Sequence, residues 1–159
     1  MYNIGDKVVY PMHGAGVIEA IEEKEVLGEK RNYYILRLPV GDMKVMIPIS
    51  NGSNSTGLRE VIDDAGVQQV MNILKQDSVP ATGNWNRRYR ANLEMIKSGD
   101  IYKVAEVVRN LFKRDKEKGL SSGERKMLES ARQILLSELV LATEVEEEKA
   151  QLLIEKALA

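Results

Sequence analysis

The sequence predicts an α+β fold: a small β-barrel at the N-terminus followed by an all-α helical bundle. Three observations predict it. In the first fifty residues, short β-branched and aromatic runs alternate with Gly and Pro breakers. A polar stretch, Asn51-Gly52-Ser53-Asn54-Ser55-Thr56-Gly57, then has the composition of a flexible linker. Beyond it, apolar residues recur at helical spacing between capping residues. The chain divides into a barrel over residues 1–52, a linker over 53–57 and a helical domain over 58–159.

The barrel elements follow from the breakers. Lys7-Val8-Val9-Tyr10 is a strand, with Pro11 and the cluster Gly14-Ala15-Gly16 as the turn after it. Val17–Glu23 is partly alternating, and Gly28 breaks it. Tyr33–Leu38 is aromatic and aliphatic, and Met43–Ile47 runs up to Pro48. Four or five short strands with tight turns suit a small barrel, whose strand edges are docking surfaces.

The helices follow from caps and spacing. Leu58–Lys75 reads as one short and one longer helix split near Gly66. Ser78–Gly83 is a loop, and Asn84 is placed to cap a helix running to about Lys97. Ser98-Gly99-Asp100 ends that helix and caps the next, whose Ile101, Val104, Val107, Val108, Leu111 and Phe112 share one face. Lys118-Gly119 is a stop signal. Ser121–Glu124 and Thr143–Glu146 both have capping-box spacing and open the last two helices.

Composition narrows the function. The chain has 159 residues, 43% hydrophobic and 30% charged, enough for a packed core. With no cysteine and the single histidine His13, thiolate and histidine metal sites are excluded. No apolar run reaches the ~18–20 residues that span a bilayer, and the N-terminus does not read as a signal peptide. A cytoplasmic protein without cofactor, metal or membrane partner is expected. No phosphate-binding glycine loop, nucleophile or acid–base pair stands out, so an enzyme is not expected. Asp63-Asp64 and Glu146–Glu148 fall where helix N-termini favour carboxylates.

The net charge of −1 hides a segregation. Residues 1–79 hold 8 Lys+Arg and 11 Asp+Glu, residues 80–142 hold 13 and 8, and residues 143–159 hold 2 and 5. The segments are therefore −3, +5 and −3, with the basic middle suited to an anionic partner. Within it, Asn84-Trp85-Asn86-Arg87-Arg88-Tyr89-Arg90 stands apart. At about 100° per residue, Trp85, Tyr89, Leu93 and Ile96 share a helix face, Arg87 and Arg90 lie opposite, and Arg88 lies at a flank. Tyr89, Leu93 and Ile96 read as core. Trp85, the only tryptophan, would be the first helical residue and able to project past the bundle. A helix N-terminus suits phosphate, arginines can straddle a phosphate backbone, and an apolar ring can wedge at a base step. Arg125 and Lys126 could extend this patch.

Long stretches in both halves carry a resemblance. They are Ile4-Gly5-Asp6-Lys7-Val8-Val9-Tyr10-Pro11-Met12-His13-Gly14, Asn84–Glu94, Ser98-Gly99-Asp100, Lys103–Arg109 and Leu120–Glu124. Over essentially its whole length the chain resembles the CarD/CdnL family of bacterial transcription regulators. The resemblance implies a Tudor-like or SH3-like barrel that binds the β subunit of RNA polymerase. It implies a helical domain that meets promoter DNA in the minor groove near the −10 element, at the upstream edge of the bubble. Carried over by position, the tryptophan wedge is Trp85 and the basic DNA contacts fall on Arg87, Arg90 and Arg125. The polymerase-contacting positions fall on Lys24, Val26 and Met46, with Met46 standing where some relatives have arginine.

Two other classes fit some of these features. A protein–protein adaptor without direct DNA contact would use Trp85 as an interface anchor. A barrel that binds RNA is disfavoured by the −3 charge of the first segment.

Overall fold

The computed structural model describes residues 2–49, 57–78 and 83–159. The N-terminal half is a five-stranded antiparallel sheet: β1 (Lys7–Tyr10), β2 (Gly14–Val26), β3 (Glu29–Leu38), β4 (Met43–Pro48) and β5 (Arg59–Glu60), in the order β4-β3-β2-β1-β5. Five helices follow: α1 (Asp64–Lys75), α2 (Trp85–Lys97), α3 (Ile101–Glu117), α4 (Ser122–Thr143) and α5 (Glu147–Leu158). The α+β architecture is the expected one. The polar stretch read as a linker lies outside the described residues except for Gly57. So do residues 79–82 of the loop before α2.

Local chemistry sets most helix starts. The side chains of Asp63, Asn84, Asp100 and Ser121 each accept a backbone N–H from the first turn of the helix they precede. Thr143–Glu146 is different. Thr143 ends α4 and donates its hydroxyl back to the Leu139 carbonyl at 2.6 Å, so it caps nothing. Glu144 takes a left-handed φ of 56°, and Glu146 precedes α5 without a side-chain cap bond.

Three further expectations are corrected by packing. Arg59–Glu60 is not helical but pairs with Val9 and Val8 of β1 as the fifth strand. Gly66 does not split a helix; it lies in the first turn of α1, where an added Cβ would come 2.8 Å from Ile62 Cβ and 2.9 Å from the Tyr102 hydroxyl. Gly14-Ala15-Gly16 is strand, with the turn made by Pro11–His13 before it. Gly14 is needed because α4 lies on it, leaving a Cβ only 2.6 Å from Ser137 Oγ, at a φ of 108°. Gly14→Ala should therefore destabilise the chain by about 1–3 kcal/mol, read as a lower thermal midpoint with unchanged helix content at low temperature.

The sheet and the bundle each have a core. Val8, Ile18, Tyr34, Leu36, Leu38 and Ile47 fill the first. The second includes Val70, Leu74, Ile101, Val104, Val108, Leu135, Leu139 and Ile154. One stripe of α4 joins them. Ser137 Oγ accepts the Ala15 N–H at 2.9 Å and donates to the Ile134 carbonyl. The Glu138 carboxylate, fully buried, receives both ends of the Arg59 guanidinium at 2.6 and 2.7 Å and the Ile62 N–H at 2.9 Å. Arg59 Nε continues to the Gly99 carbonyl, tying in the α2–α3 turn. Lys7 Nζ donates to the Leu141 carbonyl and pairs with Glu144, whose carboxyl it holds below the usual carboxylate range. Residues 134, 137, 138 and 141 fall on one helix face, which explains how a single helix gathers these contacts.

Candidate nucleic-acid interface

Trp85 opens α2 and is 40% exposed. Its indole does not project freely. The ring stacks on Tyr89, with centroids 5.1 Å apart and planes at 20°. Nε1 donates to Ser121 Oγ at 2.9 Å. Ser121 is the cap of α4, so its hydroxyl also accepts the Glu124 N–H and donates to the Glu124 carboxylate, both at 3.2 Å. The indole packs over Gly123 of α4, where a Cβ would sit 3.4 Å from Trp85 Cζ2, in van der Waals contact. Tyr89 and Ser121 thus position Trp85, a role sequence reasoning missed.

Two helix N-termini therefore converge on one half-exposed aromatic ring. Each presents unpaired N–H groups and the positive end of a helix dipole. Basic side chains surround the joint unequally. Arg87 and Arg90 are exposed on the side of α2 turned away from the bundle, and Arg87's stem lies over Gly83. Arg88 is half-buried and directs Nη1 to the Gly83 carbonyl at 3.4 Å. Arg125 leans the other way, toward the Asp115 carboxylate at 3.6 Å and the Leu120 carbonyl at 3.4 Å. Lys126 is exposed, nearer than Arg125 to the flank of α4 that carries Gly123. Among the described residues, the charged ends of Arg87, Arg90 and Lys126 have no carboxylate partner.

Lys24, Val26 and Met46 are brought together elsewhere, by strand register. Lys24 opposes Arg31, Val26 opposes Glu29, and Met46 opposes Ile35. Alternation puts all six on the sheet face opposite the Tyr34–Leu36–Leu38 core. Lys24 and Met46 are then about 13 Å apart along β3. Val26 and Met46 are 45% and 43% exposed, and Lys24 pairs with Glu22 at 3.5 Å. Among the described residues β4 is hydrogen-bonded only to β3, so the sheet ends there in an edge. The helices cover the same face at Val9 and Ala15, away from these three residues.

The family described as CarD, C-terminal domain, matches residues 69–155, more than half of the chain. The chain belongs to the CarD-like transcription factor family. The CarD-like/TRCF RID domain family matches residues 2–62, so the CarD assignment extends over the sheet, its fifth strand included. A relative from Bacillus subtilis (strain 168), named as a candidate transcription factor, YdeB, is 47% identical over 139 residues, covering 87% of this chain and 90% of the relative. No helix of this CarD-family chain is long and apolar enough to cross a membrane, among the described residues.

Proposed function

We propose that this CarD-family chain regulates transcription from two contacts. The exposed end of the sheet, with Lys24, Val26, Met46 and the β4 edge, docks on the β subunit of RNA polymerase. The joint of α2 and α4 meets promoter DNA at the upstream edge of the bubble, in the minor groove near the −10 element. Trp85 then stabilises the open complex. The observation that carries this reading is the half-exposed indole, fixed where two helix N-termini converge beside exposed cations.

The physics favours a junction over plain duplex. Phosphates are met by the helix N-termini and by Arg87, Arg90 and Lys126, which position the protein without reading sequence. Arg88 and Arg125, already engaged within the protein, contribute after giving up weak internal contacts. A flat apolar ring gains most against an unstacked base step, which duplex DNA seldom presents. Docking on polymerase raises the local concentration of DNA, so a modest intrinsic affinity suffices. The protein would act in the cytoplasm, where polymerase and chromosome are.

Arg87→Glu should weaken binding to forked promoter DNA in the presence of polymerase several-fold and lower the salt slope of that binding by about one or more. An unaltered slope would remove Arg87 from the phosphate contacts. If wild-type protein bound to polymerase makes no contact with forked DNA, an adaptor role for Trp85 replaces the DNA reading.

A further inference from the structure

The hairpin between β2 and β3 carries a residue that neither folding nor the contacts above explain. Its two-residue turn is Leu27-Gly28, with φ of 53° and 80°. Positive φ at both central positions is the type I′ turn, which favours Asn-Gly or Asp-Gly. Leucine in the left-handed region costs about 1–2 kcal/mol against a relaxed backbone. Gly28 meets that demand; Leu27 does not. Leu27 is also 100% exposed. Among the described residues, the most exposed large hydrophobic side chain thus sits at a turn position where a polar residue would be more stable.

Its surroundings give this a direction. Val26 is exposed beside it, and Val26 shares the outer sheet face with Lys24 and Met46. The hairpin arm beyond Ile21 is exposed along nearly its whole length, reaching past the part of the sheet covered by α4. A projecting arm ending in an aliphatic knob suits insertion into a concave apolar site on the protein against which that face docks.

We infer that Leu27 is the hydrophobic anchor of the polymerase contact, seated in an apolar pocket on the polymerase surface. The inference rests on the proposed docking of the sheet and adds a residue to it. It accounts for both anomalies, because burial in a partner recovers the cost of exposing Leu27 and of holding it at positive φ.

The substitution that tests it has opposite effects on folding and binding. Leu27→Asn creates the preferred turn sequence, so the thermal midpoint of the full-length protein stays the same or rises. Affinity for bacterial core RNA polymerase, measured by titration without DNA, falls about tenfold to a hundredfold, the range expected for losing one buried leucine side chain. Leu27→Met keeps an apolar side chain and retains affinity within a few-fold. Wild-type binding with an unchanged Leu27→Asn affinity overturns the anchor and leaves sheet docking standing. A wild-type chain that does not bind core polymerase overturns both.

Discussion

Replacing Trp85 with alanine should shorten the lifetime of polymerase–promoter open complexes by about tenfold and leave affinity for polymerase unchanged. The size follows from the contact. Stacking of one base on an aromatic ring contributes about 1–3 kcal/mol, and each ~1.4 kcal/mol is a factor of ten. On the proposed reading the effect falls on the open state, because a flat ring gains most from a distorted junction and little from closed duplex. A ligand shifts an equilibrium only by its preference for one state. The docking site proposed on the sheet does not include α2, so the two properties should separate.

Trp85 also holds the protein's own joint together, and this must be told apart from the wedge. The alanine variant loses the stack on Tyr89 and the bond to Ser121, each worth about 1 kcal/mol. Ser121→Ala removes the indole's hydrogen-bond anchor and the α4 cap but keeps the ring. It should lower the thermal midpoint while retaining most of the open-complex lifetime. Trp85→Phe keeps an apolar ring and should lie between wild type and alanine. Lifetimes that track thermal stability across the three variants, in place of ring size, would assign Trp85 a structural role only.

The largest loss of stability is expected from Arg59→Ala. It leaves the Glu138 carboxylate buried without its cation, with only the Ile62 N–H still bonded among the described residues. Breaking a buried pair in this way costs about 3–5 kcal/mol, a large part of the ~5–15 kcal/mol that holds a typical domain. For a chain of this size the thermal midpoint should fall by roughly 10 °C. The contact also ties β5 to α4 and, through Gly99, to the α2–α3 turn. The variant should therefore loosen the sheet from the bundle, seen as faster amide exchange in β1, β5 and the middle of α4. Replacing both partners by apolar residues, Arg59→Met with Glu138→Leu, should recover most of the loss, since no buried charge is then left unpaired. A single variant with an unchanged midpoint would show that water compensates the carboxylate.

Stability and function are coupled through this same helix. α4 carries Ser121 and Gly123 at its start, beside Trp85, and Ser137 and Glu138 further along, beneath the sheet. One rigid element thus connects the surface proposed for DNA to the domain proposed for polymerase. The angle between the two proposed contacts would then be set by the seating of α4 on Gly14 and Ala15. This gives the glycine a functional consequence beyond its local fit.

What could be read from the sequence were features whose cause is local. Asn84, Asp100 and Ser121 cap helices because each side chain reaches an N–H only two or three residues away. Amphipathic spacing in α3 and β-branched runs in the first half reveal which faces are apolar, and hence the α+β class. The segregation of charge and the Trp–Arg segment are local in the same sense. Tertiary structure decided the rest, because it depends on partners far apart in sequence. Glu138 has the form of an ordinary solvated helix residue until Arg59, 79 positions away, makes it a buried hub. Arg59–Glu60 is too short to show a strand pattern and becomes one only by pairing with β1. Trp85 reads as a free projection, yet a hydrogen bond to Ser121, 36 residues on, holds it against α4. Lys24, Val26 and Met46 share a face only because the β2–β3–β4 register aligns them. Hydrogen bonds and burial act through space, so a side chain's neighbours along the chain cannot report them.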